Sequence, residues 1–99
     1  MRVVPGEQII SIAAQDNYVV INTAGGDSTL REPLGALVDR LQQADIVRVH
    51  RSHAVNLRHV AALLPLARGE GEIVLDDGRR IPYSRTYRAH LLARLAPSS

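Results

Sequence analysis

Ninety-nine residues can bury one modest core and not two independent ones, so a single domain over 1–99 is expected. Forty-five per cent of the residues are hydrophobic, yet Trp, Phe and Cys are absent and only three Tyr occur; the core must be aliphatic, and disulfides, thiolate metal sites and thiol nucleophiles are excluded. The formal charge is +2, and the longest uncharged apolar run, Val60 to Ala67, falls far short of the ~20 residues that span a bilayer, so a soluble protein of the reducing cytoplasm is expected.

Ile9, Ile10 and Ile12 open a first strand running into "AAQDNYVVINT", where Asp16-Asn17 signals a turn and the β-branched run Tyr18 to Thr23 a second strand. A further turn is expected at "AGGD", 24–27, then a strand from Ser28 to Arg31. Pro33 suits a first helical position, and Leu34, Leu37, Val38 and Leu41 recur at i, i+3, i+4, i+7 spacing, which predicts a short helix at about 33–41. Strands are expected at Ile46 to Val49 and at about Val60 to Leu66. "ARGEGE" and "LDDGRR" are turns bracketing a strand from Ile73 to Leu75, completed as a hairpin by Arg80 to Tyr83. A helix at about 85–95 follows, with Ser84 as N-cap. Tyr87, Leu91, Leu92 and Leu95 share its apolar side, Arg85 and Arg88 are neighbours on another, and Pro97-Ser98-Ser99 forms a frayed tail.

The small net charge hides strong segregation. Residues 1–45 hold three Arg and six carboxylates, 46–69 four Arg and no carboxylate, 70–78 four carboxylates and no base, and 79–99 five Arg and no carboxylate. All twelve cationic side chains are Arg, a bias in composition that nevertheless supplies planar forks able to pair bidentately with phosphate or guanine. "VRVHRSHAVNLRHV", 47–60, concentrates three Arg and three His. With Val47 and Val49 facing the core, Arg48 and His50 point the other way, and Arg51, Ser52 and His53 are presented from a loop. That cluster suits phosphate or base edges; a solvated, aggregation-resistant strand edge is the plainer alternative. Glu70, Glu72, Asp76 and Asp77 are the carboxylates that could fold back onto it. Arg85 and Arg88 lie in the opening turn of the last helix, where cations are disfavoured unless an anion binds; they are either phosphate readers or solvated surface groups.

Other chemistry is thinly supported. His50, His53 and His59 are the candidate zinc ligands, but along one strand His50 and His53 point to opposite faces, no Cys assists and flanking Arg opposes a dication, so no metal is expected. Ser52 is in no nucleophile elbow, and "GGD" and "GEG" lack a phosphate-loop context, so neither an enzyme nor a cofactor is expected. A turn or buried hydrogen-bond role is favoured for Asn56, whereas Asn17 is balanced between turn former and adenine reader.

"NYVVINT" (17–23), "LREPLGALVDRL" (30–41), "VRVHRSHAVNLRHVAAL" (47–63) and "LDDGRRIPYSRTY" (75–87) resemble, in order and spacing, the LytTR family of bacterial DNA-binding domains. The resemblance covers about residues 8–95, and its most specific feature is His50-Arg51-Ser52 with Val55-Asn56, coupled to Ser84-Arg85 after a Gly and a Pro. It implies a mainly β fold with minor α, an elongated sandwich of small antiparallel sheets. It also implies transcription regulation by sequence-specific binding of double-stranded DNA through loops that enter successive major grooves, commonly by a homodimer on repeated sites. Most members are output domains of response regulators in two-component systems, so a receiver domain or other regulatory segment is an expected partner, with no membrane contact by this domain. Carried over by position, Asn17, Tyr18, His50, Arg51, Ser52, Ser84, Arg85 and Thr86 match DNA-facing loops, and Arg88 adjoins them; Asn56 matches a structural position. His53 stands where an aromatic or large apolar residue is usual, Ala13 where Glu is common, and Thr86 where a basic residue is frequent, departures that bear on base preference. The competing reading is a protein-interaction module whose Arg-rich face docks an acidic partner.

Overall fold

The computed structural model describes residues 5–41 and 44–96; the expected frayed tail, 97–99, lies outside them. Among the described residues eight strands and two α-helices follow one another as β1 (Ile9–Gln15), β2 (Tyr18–Thr23), β3 (Gly26–Leu30), α1 (Leu34–Arg40), β4 (Ile46–His50), β5 (His53–Asn56), β6 (Val60–Pro65), β7 (Gly71–Leu75), β8 (Arg80–Tyr83) and α2 (Arg85–Leu95). Five strands form one antiparallel sheet in the order β3-β2-β1-β5-β4, and three form another, β6-β7-β8. The mainly β architecture of small antiparallel sheets expected from the resemblance is the one observed, with principal extents of 40 × 30 × 24 Å.

The larger sheet is apolar on both faces, because its central strands carry runs without polar alternation. On one face Ile9, Ile12, Val19, Ile21, Ile46 and Ala54 pack against Leu34, Leu37 and Val38 of α1. On the other, Ile10, Val47, Val49 and Val55 meet Ile73, Leu75 and Tyr83 of the small sheet and Leu91 of α2. A register shift between Ile9 and Ser11 explains why Ile9 and Ile12, three residues apart, share a face. Asn56, 1% exposed, ties the end of β5 to the start of β1: its Nδ2 donates to Ile9 O at 2.9 Å, and its Oδ1 accepts from Arg58 N at 2.9 Å. The expected buried role of Asn56 is therefore what the side chain performs.

Several boundaries differ from expectation. The second turn is Ala24-Gly25, and β3 begins at Gly26, whose φ of 130° lets the strand start two residues early. Pro33 precedes α1 as its N-cap, with ψ of 141°, instead of occupying a first helical position. Strand β7 starts at Gly71, which pairs with Tyr83, and the Tyr83 ring fills the space a Cβ on Gly71 would need. Leu92 is exposed; only Leu91 of α2 is fully buried. Ser84 sits at the N-cap of α2, but its side chain makes no capping bond.

The largest departure is β5. His53 is not presented from a loop: it opens a strand that pairs with β4 on one side and β1 on the other, which leaves Arg51-Ser52 as a two-residue turn.

Candidate nucleic-acid interface

Strand direction decides which loops meet. In antiparallel sheets every second strand ends at the same edge, so the β1–β2 and β4–β5 turns lie together, with the end of β3 beside them. Ala14 N donates to Ser52 O at 2.8 Å, holding the first two turns side by side. Leu30 pairs with Val19, which brings Arg31 next to Asn17 and Tyr18; these line one shallow concavity with Asp16 and Thr29. Ser84 N donates to Val49 O at 2.9 Å, which anchors the start of α2 against the end of β4. The β6–β7 turn closes the row: a Cβ on Gly69 would lie 2.8 Å from Arg85 Cγ, and Arg68, Glu70, Ser84, Arg85 and Thr86 line a second concavity.

Asn17, Tyr18, Arg51, Ser52, Ser84, Arg85 and Thr86 are thereby gathered on one edge, with Arg88 one helical turn beyond Arg85. The Tyr18 hydroxyl donates to Gln15 Oε1 at 3.3 Å. His50 is half-buried, and its Nδ1 accepts from Ser52 N at 3.1 Å with Ser52 Oγ 3.0 Å away, so the neutral ring carries its proton on Nε2. Arg48 is committed to the turn itself: Nε donates to His50 O at 3.2 Å, Nη2 to Arg51 O, and the guanidinium lies 5.6 Å from the Tyr87 ring centroid. The β4–β5 turn is thus fixed from both strands and from α2.

Carboxylates sort the arginines. Glu32 pairs with Arg40 at 2.7 Å, Asp45 with Arg58 at 3.2 Å and Arg94 at 3.5 Å, Asp77 with Arg79 at 2.9 Å, and Glu72 with Arg80 at 3.4 Å. Asp76 takes His59 at 2.9 Å. Among the described residues Arg31, Arg51, Arg68, Arg85 and Arg88 are exposed and have no carboxylate within 4.0 Å. Of the four carboxylates that could fold back onto the 47–60 stretch, only Asp76 forms an ion pair there among the described residues, at His59; Arg58 is taken instead by Asp45, and Arg51 has no carboxylate within 4.0 Å. Sequence reading missed Arg31 and Arg68 as members of this edge; the hairpin sequence β1–β2–β3 would have placed Arg31, whereas Arg68 lies on a separate sheet whose orientation no strand count supplies.

His50 and His53 do not point to opposite faces. A hairpin turn separates them, so they pair across it with ring centroids 5.4 Å apart in an edge arrangement. No group of three or more His, Cys, Asp or Glu suited to a metal occurs among the described residues. His53 Nδ1 is buried without a hydrogen-bond partner, and burial, then the neighbouring His50, push the His53 pKa down. The ring is neutral in the fold and charges more readily when unfolded. Its contribution is intact above the ordinary histidine value of about 6.5 and is lost as pH falls from there toward the lowered folded value. His53→Phe, which restores an apolar side chain, is expected to flatten the decline in Tm between neutral and mildly acidic buffer; an unchanged slope in thermal melts would refute this.

The family model for the LytTr DNA-binding domain matches residues 1–96. The sensory transduction protein LytT of Bacillus subtilis is 30% identical over 89 residues, which are 90% of this chain and 37% of that protein. The CO-responsive transcriptional regulator RcoM of Rhodospirillum rubrum is 34% identical over 90 residues, 89% of this chain and 38% of that protein. The chain thus spans just over a third of these curated relatives. Among solved structures, the LytTr DNA-binding domain of a Bacillus cereus protein superposes with a TM-score of 0.83 at 26% identity, covering 93% of this chain and 84% of that one.

Proposed function

The chain belongs to the LytTR family of DNA-binding domains, and from that premise we propose that its Arg-rich edge reads duplex DNA by sequence in transcription regulation. The observation that carries this reading is the sorting of charge: among the described residues five exposed arginines without carboxylates share one edge, while the paired arginines lie elsewhere. Uncompensated guanidinium groups supply the phosphate attraction, and their forks match guanine O6 and N7. Arg51 and Arg85 are the base or phosphate readers; Asn17, Tyr18, His50, Ser52, Ser84, Thr86 and Arg88 support them.

Geometry favours more than one groove. At about 4.8 Å per strand the larger sheet's end is about 19 Å wide, more than the ~12 Å of one major groove. Its turns and the start of α2 therefore address successive grooves.

In this reading the chain is one domain, the output part of a response regulator in the cytoplasm, coupled to a receiver or other regulatory segment and acting as a homodimer on repeated sites. No helix among the described residues is long and apolar enough to cross a membrane. Selection from a random duplex library at near-physiological salt tests the proposal. Enrichment of a short motif in spaced repeats is expected. Salt-sensitive binding without any enriched motif would instead favour an acidic protein partner, because fixed charge alone reads only the backbone.

A further inference from the structure

Among the described residues three non-glycine residues have positive φ: Asp16 at 49°, Asp45 at 62° and Arg68 at 64°. Aspartate is enriched in this left-handed region and arginine is not, so Arg68 is the conformational outlier of the three. It occupies the β6–β7 turn directly before Gly69, itself at φ +79°. Glycine or asparagine would suit the position better. No packing accounts for the arginine, since its side chain is exposed, and no carboxylate within 4.0 Å holds it. Glu70, the nearest acidic residue of the turn, also forms no ion pair with it.

The turn is continuous with the proposed DNA edge, because Gly69 lies directly against the Arg85 side chain and Arg68 lines a concavity with Ser84, Arg85 and Thr86. We infer that Arg68 is a further DNA contact: it extends the interface onto the small sheet and binds a backbone phosphate flanking the groove addressed by Arg85. The inference rests on the DNA-binding reading. A strained residue that is costly to the fold and useless to the core is accounted for by its position on a binding edge. A phosphate contact from a flexible exposed side chain adds affinity without sequence preference.

The full chain is titrated with a duplex enriched by selection and with a scrambled duplex, each over a salt series. Arg68→Gly removes the guanidinium while fitting the backbone, so its Tm should hold or rise. Both duplexes should bind about threefold to tenfold more weakly, and the salt slope should fall by about one unit. Arg68→Lys, which keeps the charge, should stay close to the parent chain. Parental affinity in Arg68→Gly, with Arg51→Ala still defective, would overturn the inference and leave the DNA reading standing. So would a loss confined to the enriched duplex, or an Arg68→Lys chain as weak as Arg68→Gly. If Arg51→Ala and Arg85→Ala also bind like the parent, the DNA reading itself fails and takes Arg68 with it.

Discussion

Alanine at Arg51 or at Arg85 is expected to weaken binding to the enriched duplex by roughly 5- to 150-fold, equivalent to about 1–3 kcal/mol, without changing Tm. Both side chains are exposed and engage no carboxylate, so truncation removes nothing the fold depends on. Their backbones, however, are well held. Arg48 bonds to the carbonyls of His50 and Arg51, and the Ser84 N–Val49 O bond anchors the backbone directly before Arg85. A fork presented from a fixed backbone loses less freedom on binding than one on a mobile loop. Two outcomes identify the partner atom. Loss of preference at one base position with the salt slope kept marks a guanine contact, whereas equal loss on all duplexes with the slope reduced by about one marks a phosphate. If neither variant changes affinity, the proposed edge is not the interface.

Much of this edge was legible, but not all by the same route. The strands at Ile9–Gln15 and Tyr18–Thr23 and the helix at Arg85–Leu95 follow from β-branched runs, a turn signal at Asp16-Asn17 and an N-cap position at Ser84. Strand β5 escaped notice because "HAVN" has no polar–apolar alternation: Ala54 belongs to one core and Val55 to the other. That omission also produced the wrong faces for His50 and His53, since alternation along one strand does not hold across a turn. Leu92 was misplaced because Leu91, one residue or ~100° away on a helix, takes the buried position. The strand order β3-β2-β1-β5-β4 lay beyond periodicity, and the resemblance implied only small antiparallel sheets without an order. In the site, the charge blocks pointed to arginine as the active group. They could not say which arginines stay free, because Arg58 and Arg94 share the carboxylate of Asp45, 13 and 49 residues away in the chain.

Asn56→Ala is expected to destabilise the fold by about 2–4 kcal/mol, a large share of the ~5–15 kcal/mol that holds a small domain together. The substitution strips the partner from Ile9 O, a carbonyl at the junction of β5 and β1, and from Arg58 N in the turn that follows. It also leaves unfilled volume in a position 1% exposed. Asn56→Asp separates these effects. The carboxylate is nearly isosteric and can still accept from Arg58 N, but it cannot donate to Ile9 O and brings a charge into a buried site. Burial favours its neutral form, so the penalty should exceed that of Asn56→Ala at neutral pH and shrink, relative to the parent, on acidification toward the ordinary carboxyl range. Chemical denaturation at two pH values reads both. Because β5 starts at the Arg51-Ser52 turn and ends at Asn56, this tie lies at the opposite end of the sheet from the proposed DNA edge. Folded Asn56→Ala, assayed below its lowered Tm, should therefore keep the parent's base preference; a changed preference would show that the far end of β5 sets the geometry of the reading turn.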